Sequence, residues 1–106
     1  MVQKNTELYI AASTALQNLT SELKRISEMA NEVDNAVGEM IELGTNSPVP
    51  VALLQKVDLL RQSTNCLERF ATNFATQSKC DHKLGVEVLA DGIYLDDMRQ
   101  ALTADR

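Results

Sequence analysis

The sequence predicts an all-α fold: a long antiparallel helical hairpin with a short C-terminal helical segment, dimerising into a four-helix bundle. Three observations predict it. Both prolines of the 106-residue chain stand at positions 48 and 50, which leaves two long stretches free of the strongest helix breaker. On either side of them apolar residues recur at alternating spacings of three and four, the pattern of helices that pack at a small crossing angle. The composition is 44% hydrophobic and 24% charged. That is close to the usual values of about 45–50% and about 25%, so residues 1–106 read as one ordinary globular domain.

The first helix is expected over residues 5–43. Its stripe is Tyr9, Ala12, Leu16, Leu19, Leu23, Ile26, Ala30, Val33, Val37 and Met40, with no slip in phase. Leu8, Ala15, Met29 and Ala36 widen it to roughly three residues in seven, which suits a bundle better than a two-stranded seam. The phase runs unchanged through Asn31, Asp34, Asn35 and Gly38, all mediocre helix formers, so one continuous helix is expected. At about 1.5 Å per residue it would span on the order of 55–60 Å, which requires an elongated molecule. Gly44 follows as the natural stop. Asn18-Leu19-Thr20 matches a glycosylation acceptor, but Leu19 is a core position and the match is coincidental.

Residues 44–48 form the linker, rich in turn residues, with Ser47 placed to cap a helix whose first position is Pro48. The second helix is expected over residues 49–78, with Leu53, Val57, Leu60, Thr64, Leu67, Ala71 and Phe74 as its stripe. A hairpin turning near residue 47 pairs Met40 with Leu53, Val37 with Val57, Val33 with Leu60 and Ala30 with Thr64. Leu23, Ile26 and Leu60 then carry the seam. Two helices with stripes this wide cannot cover each other, so the remaining apolar surface calls for a third helix, with residues 84–102 folded back along the hairpin, or for a second copy of the chain, which is the first choice.

The C-terminal helical segment is expected over residues 83–104. A short helix over 83–90 should be followed by a break at Asp91-Gly92 and a second helix over 94–103, its start favoured by acid near Asp96. Ile93, Leu95, Met98 and Leu102 give this last helix an apolar edge. It reads as a semi-independent docking element for another protein, the alternative being that the edge packs onto its own bundle and covers residual apolar surface.

Charge narrows the choice of partner. The net charge is −5. Residues 26–47 hold five acids and no base, namely Glu28, Glu32, Asp34, Glu39 and Glu42. Nucleic acid and anionic membrane are poor partners for such a chain, because both draw affinity from clustered Lys and Arg. Glu28, Glu32, Asp34 and Glu39 are instead candidates for a face that docks a basic protein. No stretch reaches the roughly 20 apolar residues of a spanning helix, and the N-terminal residues lack a signal-peptide pattern. A cytoplasmic location is expected, with Cys66 and Cys80 as free thiols.

The candidate chemistry is sparse. Cys66, Cys80 and His82 are three soft ligands where a closed zinc site wants four, so neither metal nor cofactor is expected. Asp58 and Gln62 lie four residues apart, one helical turn, on a face outside the stripe. A carboxylate can engage the metal–phosphate region of a phosphorylated partner while a carboxamide orients the attacking water. The pair resembles the Asp-x-x-x-Gln motif of CheZ-type chemotaxis phosphatases, also long helical hairpins that dimerise, although the glycine common before the motif's Gln is Arg61 here. That resemblance implies hydrolysis of phosphorylated response regulators by Asp58 and Gln62, and stands as the alternative function. With no dense catalytic constellation, the first reading is a non-enzymatic interaction or scaffold module. Its expected partners are itself, as a homodimer, and another protein at the acidic face or the C-terminal helix.

Overall fold

Two long helices form where the apolar phase is unbroken, and backbone chemistry sets their ends. The computed structural model describes residues 9–44, 48–77 and 83–105. In chain order the elements are β1 (Tyr9–Ala11), α1 (Ala12–Leu43), α2 (Val51–Gln77), β2 (Lys83–Gly85), α3 (Val86–Leu89) and α4 (Asp96–Leu102). Gly44 ends α1 at a φ of +99° that only glycine adopts freely, and its N–H donates to Ile41 O at 3.3 Å. Pro50 opens α2, its carbonyl accepting from Leu53 N at 3.1 Å and Leu54 N at 3.2 Å. The proposed cap Ser47 lies outside the described residues. The molecule is elongated, 65 × 25 × 22 Å with a radius of gyration of 17.8 Å.

The ends of the chain depart from the expected helices. Tyr9–Ala11 is a strand rather than helix, paired antiparallel with β2 so that Ile10 faces Leu84, Tyr9 faces Gly85 and Ala11 faces Lys83. Ile10 and Leu84, at the centres of the two strands, both enter the core. The gain from burying that pair outweighs continuation of the helix into a region with nothing to pack against. Residues 5–8 lie outside the described part of the chain. The helix expected over 83–90 shrinks for the same reason to Val86–Leu89, and the last helix is Asp96–Leu102.

The core sits at one end of the hairpin. Ile10, Ala15, Cys66, Leu67, Phe70, Leu84, Leu89, Ile93, Met98 and Leu102 form it, with Leu19, Ile26, Phe74, Val86 and Leu95 packed around them. Toward the tip the two long helices have only each other, and no residue of 26–57 among those described is fully buried.

Side chains on α2 clamp the C-terminal segment to this core. Asn73 Nδ2 donates to Leu89 O at 3.0 Å and Asp91 O at 2.9 Å, and Arg69 Nε donates to Asp91 O at 3.3 Å. The Asp91-Gly92 break is where the sequence puts it. Gly92 holds a φ of +82°, which strains any residue with a Cβ, and the turn packs against the flexible Arg69 side chain. At the far end of α4, buried Asn18 donates from Nδ2 to Leu102 O at 2.9 Å and to Ala104 O at 2.8 Å. These carbonyls are ones a helix C-terminus leaves without intrahelical partners. Replacing Asn18 by Ala should therefore cost about 1–3 kcal/mol in denaturant unfolding, since the carbonyls lose a donor where water is excluded.

The same packing rotates α1 away from its expected phase. Asn18 is buried and Glu22 is 7% exposed, whereas the stripe residues Leu16 and Leu23 stand 49% and 52% exposed. The cause is α4, which covers the flank of α1 carrying Ala15, Asn18 and Glu22 and turns it inward. Glu22 is accommodated by Arg25, whose Nη2 lies 3.0 Å from Oε1. Leu19, Ile26, Val33 and Met40, common to both phases, are half-buried.

The pairing of the long helices is also shifted, by about two turns. Lys56 Nζ reaches Glu32 Oε1 at 3.2 Å, and Ser63 shares a cleft with Glu22 rather than lying level with residue 30. Pro50 sits in one groove with Ala36 and Met40. The hairpin therefore closes near Gly44, ahead of the expected turn near residue 47, and Pro50 lies alongside α1.

Candidate functional site

The C-terminal residues proposed from sequence for docking are largely spent on folding. Ile93, Met98 and Leu102 are buried and Leu95 is half-buried. Their edge faces the protein's own hairpin, so α4 is fixed in the core rather than semi-independent.

Asp58 is exposed on α2, and Gln62, one turn on, is half-buried. Gln62 Nε2 donates to Asp58 Oδ2 at 2.6 Å and Arg61 Nη2 donates to Oδ1 at 2.8 Å, so both carboxylate oxygens are engaged within one turn. The Arg61 guanidinium first, and the Gln62 amide second, hold the Asp58 carboxyl below its ordinary value. Because the folded value is depressed, the stability this cluster contributes is present above the unfolded pKa and is lost as pH falls through the folded one. An NMR titration of the Asp58 carboxyl should give a midpoint below that of a free aspartate, and Arg61→Ala should move it upward. Cys66 is a free thiol buried in the core, while Cys80 and His82 lie outside the described residues.

The five acids divide between faces. Glu28, Glu32 and Glu39, spaced by four and seven, run along one edge of α1. Glu32 and Glu39 rim a groove of about 340 Å³ whose floor is Ala36, Met40 and Leu53, and whose other rim carries Lys56. Asp34 belongs to a different line, the one that carries Ala30, Val37 and Ile41.

That second line carries a run of exposed apolar residues. Leu16, Leu23, Ala30 and Val37 recur every seven residues along α1 and are exposed, as are Val57, Thr64 and Ala71 on α2. With 3.6 residues per turn, both sets fall on the side of the hairpin opposite α4. At the tip Ile41 and Leu43 are 73% and 77% exposed, with Val51 and Leu54 beside them. The sequence reading counted all seven residues of the two repeats as seam. Its signal was there, since a stripe three in seven wide exceeds what one neighbour can cover.

Among the described residues, no helix is long and apolar enough to cross a membrane. No curated protein and no solved structure matches the chain. A family model does match residues 11–106, from the second strand-paired residue after Tyr9 through the segment clamped by Asn18, Arg69 and Asn73, so nearly the whole hairpin and its C-terminal cover are one family unit. The chain belongs to the family described as Domain of unknown function (DUF8776).

Proposed function

We propose that the chain is a non-enzymatic helical interaction or scaffold module that works as a homodimer in the cytoplasm, with the side of the hairpin opposite α4 as the self-interface. The observation that carries this reading is the pair of exposed lines, Leu16, Leu23, Ala30 and Val37 on α1 and Val57, Thr64 and Ala71 on α2. A seven-residue repeat held on two adjacent helices suits neighbours that run alongside at a small crossing angle, the geometry of a four-helix bundle. A free buried thiol at Cys66 suits a reducing compartment.

The test is charge insertion on the lines. Leu23→Lys and Val57→Lys should each yield a helical, single-chain species in size exclusion, because a buried unpaired ammonium is costly while an exposed one is tolerated. If both variants elute as the unsubstituted protein does, the lines are not the interface.

The alternative reading, hydrolysis of a partner's aspartyl phosphate, draws support from the exposed position of Asp58, with Gln62 half-buried one turn away. It requires both groups to release their present bonds, since Gln62 donates to Asp58 rather than toward solvent and Arg61 occupies the other carboxylate oxygen. The interaction reading needs no such rearrangement.

A further inference from the structure

We infer that the open stretch of groove between α1 and α2, beyond the start of α4, docks a basic amphipathic helix from a partner protein. This deepens the interaction-module reading and rests on it, but it uses the face opposite the proposed self-interface.

The chain itself shows what the groove accepts. α4 lies between α1 and α2, pressing Met98 and Leu102, four residues apart, into the core. At its first turn, Asp96 and Asp97 line a cleft of about 520 Å³ with Glu22 and Ser63. Toward the tip no described segment covers the groove. It continues as the recess of about 340 Å³ floored by Ala36, Met40 and Leu53. One half of the channel thus holds a short helix through apolar residues one turn apart, and the other half offers the same kind of floor.

Charge selects the occupant. Glu28, Glu32 and Glu39 run along one edge and Asp96 and Asp97 close the inner end; the bases nearby are both paired, Lys56 at the recess with Glu32 at 3.2 Å and Arg25 at the inner cleft with Glu22 at 3.0 Å. A second copy of a chain with net charge −5 would bring the same acids back against these. Like charges across an interface are unfavourable, whereas a helix with Lys or Arg flanking an apolar stripe complements both rim and floor.

The test uses the full chain and a fluorescent amphipathic peptide with Leu at i, i+3, i+4 and i+7 and Lys elsewhere. Two comparison peptides are its Glu-for-Lys counterpart and a scramble of the same composition. Anisotropy at physiological salt should show the Lys amphipath bound at micromolar Kd, the scramble weaker by about tenfold or more, and the Glu peptide unbound. The variant Glu32→Lys/Glu39→Lys, and separately Met40→Asp, should each weaken binding by about tenfold or more with helix content retained. Glu68→Lys/Glu87→Lys, an equal charge change outside the groove, should weaken it less than about threefold. No binding, equal binding of the scramble, or equal loss in the two charge variants overturns the inference. So does a fall to single-chain mass in Glu32→Lys/Glu39→Lys, which would show that the groove holds a second copy. Leu23→Lys separates the two readings: peptide affinity should survive it, and a chain that binds the peptide while always monomeric sinks the homodimer and leaves the groove standing.

Discussion

Deleting residues 91–106 should leave a protein that aggregates or melts many degrees lower than the full chain. The segment supplies Ile93, Met98 and Leu102, all buried, and covers Asn18, Cys66 and Phe70. At about 1.5–3 kcal/mol for each fully buried apolar side chain, the three alone contribute roughly 5–9 kcal/mol as an upper bound. Domains of this size have only about 5–15 kcal/mol in total. The truncated hairpin would also lose both hydrogen bonds of Asn18, to Leu102 O and Ala104 O. Thermal unfolding followed by circular dichroism decides the matter. A truncated chain that keeps its helix content and melting temperature would show that α4 is an appendage and that the core has been placed wrongly.

Phe70→Ala should be the most damaging single substitution. Phe70 is completely buried at the meeting of α2 with both strands and the C-terminal segment. Truncating such a ring costs about 3–5 kcal/mol through lost transfer energy and the cavity left behind. At a few degrees per kcal/mol, the melting temperature should fall by more than roughly 12 °C. Leu23→Ala behaves differently, because half of Leu23 already faces outward within one chain. Its effect should grow with protein concentration, since what it weakens is association. If Leu23→Ala cost as much as Phe70→Ala in dilute solution, where single chains dominate, the phase of α1 described here would be wrong.

The long helices, the proline-bearing connection, the Asp91-Gly92 turn and the elongated shape were all readable in the chain, because each depends on local propensity and on apolar spacing. The facing of α1 was not. A stripe three in seven wide fixes an arc rather than a direction. Which edge turns inward was decided by α4, and that required Asn18 to find carbonyls 84 and 86 residues away. Strands of three residues, such as Tyr9–Ala11, are too short to display alternation, so Ile10 and Leu84 gave no sign of pairing. α1 stops at Leu43 with Gly44 after it, as the chain indicates, but which residue of α2 comes level with each residue of α1 is not set by apolar spacing. The Asp58–Gln62 spacing was legible, and Asp58 is exposed with Gln62 half-buried beside it. That Arg61 would take one carboxylate oxygen was not legible, since i,i+3 pairing competes with i,i+4 on the same turn. The acidic face was visible as composition, but its division into a groove edge at Glu28, Glu32 and Glu39 and an outlying Asp34 needed the helix rotation.

The central claim is that the exposed lines on α1 and α2 are covered by a second copy of the chain. Multi-angle light scattering of the intact protein across micromolar concentrations tests it most directly. The account predicts a mass of two 11.7 kDa chains that falls toward one only on dilution. A mass of one chain, unchanged as the protein is concentrated, would contradict it.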